Sequence, residues 1–440
     1  MKKLLLISPI AAKSLLGGDF YFRLPYLGLL KVASLTPADW QVNIIDEKVE
    51  PVDFNADVDL VGITAMTPAV KRGYEIADGF RQRGRKVIMG GMHVSKLPEE
   101  ALQHGDSVVI GEAEDQWDKV LADFERGELG KIYKNENGYP SLANRPAPNW
   151  DLYRDKNYLP VHFIETTRGC PHNCEFCSVT SSFGGKFRNR PVDEVEREIQ
   201  NLKPLGGRLA LKNVVFFADD NIISSRKHAI ELLNRIIPYN LKWLGQASVN
   251  VAKDDEVLAL CRKSGCMGLL LGFETLSADN LSNMGKHFNK PQDYINVVRK
   301  LHDYGIGVDG SFVLGFDHDD EGVFDRAAEF VVKAKIDVCY FSILTPYPGT
   351  GLHAQMVGEK RIIDGDWANY NTNNVVFMPK LMKPEKLLSG FHHVLKESFS
   401  YRSIFGRLWD NGTYKNFFYP MNFGFRQTVK KTVKHKQIFA

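Results

Sequence analysis

The chain has no run of apolar residues approaching the roughly 20 that a membrane-crossing helix requires. It also lacks any low-complexity tract, and hydrophobic residues at 44% with charged residues at 25% give the balance of a folded globular protein. Charge of one sign is barely in excess: 56 Lys and Arg stand against 53 Asp and Glu, a formal +3. So small a surplus excludes a surface built to coat nucleic acid, and no nucleic-acid partner is expected. Cysteine is scarce too. Of six, three fall between positions 170 and 177 and three are scattered at 261, 266 and 339, which excludes the framework of a disulfide-stapled secreted fold. The opening MKKLLLISPIAA has the lysines and apolar run of a secretory signal, but the run is too short and Pro9 breaks it. It reads as a buried first strand, and the expectation is a cytoplasmic, reducing location that suits a thiolate-bound metal.

What the chain does have is a repeated rhythm. At 440 residues it is too long for one ordinary core. Residues 3–9, 41–46, 59–65, 85–91 and 106–111 are short runs rich in Val, Ile and Leu, each followed by helix-like sequence starting near Pro25, Pro68, Pro98 and Glu112. This predicts a five-stranded, doubly wound (Rossmann-like) α/β domain over 1–130, its parallel sheet buried on both faces. Residues 131–160 carry Pro140, Pro146, Pro148 and Pro160 with little periodicity and read as a linker. Six further strand-then-helix units follow, with strands at 161–168, 213–219, 243–249, 267–275, 306–315 and 338–345. They predict a partial (β/α)6 barrel of the TIM type over 161–350, with its chemistry at the carboxyl ends of the strands. Residues 351–440 read as a helical C-terminal extension.

Directly after the first barrel strand stands Gly169-Cys170-Pro171-His172-Asn173-Cys174-Glu175-Phe176-Cys177, a C-x3-C-x2-C loop. Three thiolates on a short loop can hold three corners of a 4Fe-4S cubane and leave the fourth iron open to the amino and carboxylate groups of a methionine. A structural zinc site is the plainer alternative, but zinc wants a fourth ligand, and His172 inside the loop is poorly placed to serve. With an aromatic before the third Cys, this loop resembles that of the radical S-adenosylmethionine superfamily. The resemblance implies that Cys170, Cys174 and Cys177 hold the catalytic cluster and that the Phe176 backbone meets the adenine, or else that Phe176 only caps the barrel mouth. It implies that Asp219 and Asp220, ending the second barrel strand, read the methionine amino group, although turns and helix caps use the same residues. Gln246 and Ser248, Glu274 and Ser311 are lone polar side chains in the third to fifth apolar strands. Ribose hydroxyls or the methionine carboxylate would partner them; water or loop amides would do as well.

A doubly wound domain ahead of such a barrel resembles the cobalamin-binding radical S-adenosylmethionine class. The carriers are Leu24-Pro25-Tyr26-Leu27-Gly28-Leu29-Leu30, Gly62-Ile63-Thr64-Ala65, Gly90-Gly91-Met92-His93 and Gly111-Glu112-Ala113-Glu114. Thr64, Gly90, Gly91, His93, Gly111 and Glu112 are thereby implied as cobalamin contacts, since Gly and small polar residues at strand ends admit a large ligand. The D-x-H-x-x-G loop that supplies an imidazole to cobalt in many such domains is absent: Ser8-Pro9-Ile10-Ala11 stands after strand one. His93 is the remaining imidazole near the crevice, with a hydrogen-bonded loop residue as its plainer role.

From Ser398 onward eight Lys or Arg accompany one acid, Asp410, among many aromatics. A peripheral membrane contact and a helical lid with a solvated basic end both fit this composition. The reading as a whole is an enzyme that reductively cleaves S-adenosylmethionine to a 5′-deoxyadenosyl radical, drawing electrons from a low-potential donor such as flavodoxin or ferredoxin. The expected outcome is cobalamin-dependent C-methylation of an unactivated carbon in a lipid or other small molecule. A radical cyclase, oxidase or rearrangement enzyme, and a non-catalytic metal or corrinoid scaffold, are the alternatives.

Overall fold

The computed structural model describes residues 1–11, 23–136, 138–203 and 214–436, the side chains of 432–436 excepted. Six parallel strands form the first sheet: β1 (Lys2–Ser8), β2 (Trp40–Asp46), β3 (Leu60–Thr64), β4 (Lys86–Gly90), β5 (Ser107–Ile110) and β6 (Ile132–Lys134), in the order β2-β1-β3-β4-β5-β6. Alternation explains their unbroken hydrophobicity. Leu4 and Leu6 face one core with Leu29, Leu30 and Trp117, while Leu5 and Ile7 face another with Ile76 and Phe80. Strand order reverses between β1 and β3, and a crevice opens outside the carboxyl ends there. Five strands were expected. The sixth lies in the stretch read as linker and buries only Tyr133, so no apolar run marks it. That stretch also sends Trp150, Tyr153 and Tyr158 into the first core, at spacings with no period to read.

The second sheet takes β7 (His162–Ile164), β10 (Val214–Phe217), β11 (Lys242–Ala247), β12 (Cys266–Glu274), β13 (Gly307–Leu314) and β14 (Val338–Ile343), every neighbour parallel and in chain order. This is the partial barrel expected, within about two residues at most strand ends. Between β7 and β10 a short antiparallel ribbon, β8 (Thr167–Arg168) with β9 (Arg188–Asn189), brackets the cysteine loop.

The C-terminal helices close the barrel from below. Phe418 packs where Gly268 and Gly307 leave room: an added Cβ would come within 3.0 and 2.3 Å of its ring. Arg407, fully buried, donates to the carbonyls of Ile336 and Ser398 and to Asn422 Oδ1 at 2.7–2.9 Å, which satisfies a charge that burial would otherwise make costly. Much of the aromatic and basic tail therefore serves as core, Phe399, Phe418 and Phe425 included. Among the described residues no helix is long and apolar enough to cross a membrane. One face stays outward: Tyr401, Phe405 and Trp409, one helical turn apart on Tyr401–Leu408 and its C-cap, are 55%, 44% and 73% exposed.

Candidate active site

A cavity of about 370 Å³ opens at the carboxyl ends of the barrel strands. Cys170, Cys174 and Cys177 line it, together with Phe176, Asp220, Gln246, Ser248, Glu274 and Ser311. Burial raises all three thiols, Cys174 to about 11; Lys286 pulls the other way on Cys170 and Cys174, and the Val179 and Thr180 amides do so on Cys177. Thiols so placed stay protonated until a metal displaces the proton. A cubane takes one thiolate per iron, so three thiols lining one cavity are the donor set that suits it; His172 is stacked on Phe288 with ring centroids 4.0 Å apart.

The loop is held from both sides. Asp220 accepts the Gly169 amide at 3.0 Å, which anchors the residue before Cys170, and burial raises its carboxyl to about 6. Gln246 and Ser311 form no side-chain hydrogen bond with the described residues, and both open onto the cavity. They are available to a polar ligand. Glu274 sits at φ +66°, a left-handed conformation uncommon outside glycine. Its carboxylate pairs with Lys286, which also donates to the Gly272 carbonyl at 3.0 Å.

Asp219 departs from the expectation. It is fully buried and off the cavity lining, and it instead accepts the amides of Thr166 and Thr167 at 2.6 and 2.9 Å. Both carboxylates stand in the loop just past β10, which ends at Phe217, and there Asp220 faces the cavity while Asp219 turns back onto the chain. Lys286 was missed because it lies in a turn, where no periodicity singles out a lysine; Asn221, Ser342, Thr345 and Tyr347 also line the cavity.

In the first domain a smaller cavity of about 80 Å³ lies at the strand ends, lined by Thr64, Gly90, Gly91 and Gly111 among Leu6, Leu29, Val32 and Trp117, with no charged side chain. At Gly111, φ +81°, an added Cβ would meet nothing within 4 Å, and at Gly90 only Val109 at 3.7 Å. Such apolar, glycine-edged space suits the planar base of a corrinoid's nucleotide tail, with the larger corrin outside it. Two expected contacts are elsewhere. His93 is buried behind the crevice, its Nδ1 3.2 Å from Thr67 Oγ1, its Nε2 3.4 Å from Glu100 Oε1, and its ring edge-on to Trp367. With both nitrogens engaged and the side chain off the lining, it is placed as a core residue. Glu112 is taken up in ion pairs with Arg168 and Arg188.

Comparison with known proteins agrees with both halves. The family model of the radical SAM superfamily matches residues 164–348, and that of the B12 binding domain matches 13–121. A bacteriochlorophyllide d C-12(1)-methyltransferase of Chlorobaculum tepidum is 33% identical over 438 residues, 98% of this chain and 94% of that protein. A bacteriochlorophyllide d C-8(2)-methyltransferase of the same organism is 30% identical, covering 82% of each. The radical S-adenosylmethionine methyltransferase TsrM from Kitasatospora setae, solved with cobalamin and a 4Fe-4S cluster, shares the fold at a TM-score of 0.69 and 16% identity, covering 99% of this chain and 100% of that one. The chain therefore belongs to the cobalamin-binding radical S-adenosylmethionine enzymes.

Proposed function

We propose that the enzyme methylates an unactivated carbon of a small, largely apolar molecule, with a tetrapyrrole as the substrate class. The observation that carries this reading is the single cavity in which three thiols meet four inward-facing polar positions, Gln246, Ser248, Glu274 and Ser311. When bound, the cluster and S-adenosylmethionine supply a 5′-deoxyadenosyl radical, and cobalamin supplies a methyl carrier. Cys170, Cys174 and Cys177 would hold the cluster, and Thr64, Gly90, Gly91 and Gly111 the corrinoid. Asp220 would take the methionine amino group and Lys286 its carboxylate. Gln246, Ser248 and Ser311 would take the ribose hydroxyls, and Phe176 would cap the adenine. Leu270, Val313, Leu344 and Tyr347 keep water from the reacting carbon. Two relatives matched over most of their length carry the name of bacteriochlorophyllide methyltransferases, which favours a tetrapyrrole over a lipid. A low-potential protein such as flavodoxin or ferredoxin would deliver electrons, and the outward aromatic face of the tail supports a peripheral membrane contact.

The test is anaerobic turnover of the enzyme, loaded with iron, sulfide and cobalamin, on bacteriochlorophyllide d with S-adenosylmethionine and a strong reductant. A product heavier by one methyl, formed with equal 5′-deoxyadenosine and S-adenosylhomocysteine, is expected. A product of unchanged carbon count would replace methylation by oxidation or ring closure.

A further inference from the structure

We infer that the buried charges joining the first domain to the cysteine loop set the corrinoid crevice against the cluster, with Glu112 and Arg168 as positioning residues. The inference rests on the cobalamin-dependent reading above. Glu112 comes from the first domain, next to Gly111 on the crevice wall. Its carboxylate takes Arg168 on one side and Arg188 on the other, the latter through two bonds at 2.5 and 2.9 Å. Arg168 and Arg188 are themselves opposite each other across the β8–β9 ribbon that brackets the cysteine loop. Two like charges directly opposite would drive the ribbon apart, and Glu112 between them reverses the sign of that interaction.

The link is short. From crevice to cluster ligand it runs Gly111, Glu112, Arg168, Gly169, Cys170: one ion pair, with peptide bonds on either side. Around it Arg168 also holds Glu114 at 2.7 Å and Glu165 at 2.9 and 3.0 Å, and Lys31 of the first domain reaches Glu165 as well. All six side chains are at most 19% exposed, and three acids balance three bases. Stability alone does not call for such a seam, because well-packed apolar residues often do as well as a buried ion network. What ion pairs add is direction: a guanidinium with five donors engages three carboxylates at fixed angles. Methyl delivery needs that direction, since misplacement by about 1 Å can cost about 100-fold.

The experiment compares the loaded wild-type enzyme with Glu112→Asp and Arg168→Lys. Both substitutions keep the charge, and both shorten or simplify the fork so that all partners can no longer be held together. Iron and corrinoid content are expected to stay near wild type, with a lower unfolding midpoint but both variants folded at the assay temperature. Methylated product falls by about 10- to 100-fold while 5′-deoxyadenosine falls less than about threefold, and the pulsed-EPR distance between reduced cluster and cob(II)alamin broadens. An unchanged product ratio with an unchanged distance overturns the inference. So does loss of cluster or fold in both variants, which would assign the network to folding alone. A wild type that makes no methylated product overturns the function proposed above, and the distance measurement still decides this one.

Discussion

Asp219 is bonded to Thr166 twice, accepting its amide at 2.6 Å and its hydroxyl, and takes the Thr167 amide as well. One carboxylate thus fixes the turn between β7 and the ribbon that leads to Cys170. Asp219→Ala leaves three donors without an acceptor in a buried site and should lower stability by about 2–4 kcal/mol. Iron content after reconstitution should fall with it. Burial raises this carboxyl to about 7, against the bonds from Thr166 and Thr167 that pull it down. The folded state therefore prefers the protonated form. Its contribution to stability is complete below about pH 4 and is lost as pH rises through about 7. Chemical unfolding across that window should show a decline in the wild type that Asp219→Asn reduces.

Lys286 offers the cavity a positive charge within a largely buried ion pair, at 9% exposure. A bond between this ammonium and a ligand carboxylate is worth about 1.5–3 kcal/mol. Lys286→Met should therefore raise the KM for S-adenosylmethionine by about 10- to 100-fold, with a smaller change in kcat. Equal loss of both constants, or none, would remove the methionine carboxylate as its partner. Cys174→Ala, by contrast, should abolish both the cluster absorbance and 5′-deoxyadenosine formation.

The sequence made the barrel legible because each strand is an apolar run with a period of two. The same period placed Gln246, Ser248, Glu274 and Ser311 inward, and all four line the cavity. Thr64, Gly90, Gly91 and Gly111, implied by the resemblance to the cobalamin-binding class, line the crevice at the strand ends. The period failed where direction is set by a loop past a strand's end or by a distant partner. Asp219 and Asp220 are chemically identical neighbours, and nothing local says which one faces the cavity. Glu112 follows a crevice glycine but belongs to Arg168, 56 residues away. His93 stands at a strand end, yet its partners Glu100 and Trp367 come from an adjoining helix and from the C-terminal extension. Lys286 lies in a turn, where residue type carries no period at all.

Gly90 separates the two cofactors. Its backbone is outside the left-handed region, and an added Cβ would meet Val109 only at ordinary contact distance, so Gly90→Val should fold with little strain. The added branches enter the crevice. Bound corrinoid should drop to near zero, while four irons and 5′-deoxyadenosine formation persist. Gly91 is the contrast: at φ +98°, with Thr64 Oγ1 at 2.7 Å from an added Cβ, Gly91→Ala should destabilise the domain itself. Corrinoid retained at full occupancy in Gly90→Val would move the cofactor away from this crevice.

The outward face of Tyr401, Phe405 and Trp409 is where a membrane contact can be tested against a solvated lid. Arg402 is exposed beside it, and Arg426 lies over the Tyr401 ring at 4.1 Å. Aromatic rings insert at the headgroup level, and each nearby cation gains about 1 kcal/mol at an anionic surface, an attraction that salt screens. The full chain should therefore sediment with vesicles of equal phosphatidylcholine and phosphatidylglycerol, less with phosphatidylcholine alone, and less again as salt is added. Phe405→Ser with Trp409→Ser should release it without altering turnover of a water-soluble substrate, because neither residue lines the cavity. Wild-type protein that stays in the supernatant at low salt would make the face a solvated one. Substrate would then have to reach the cavity through water or from another protein, and a lipid-dissolved substrate would lose its main support.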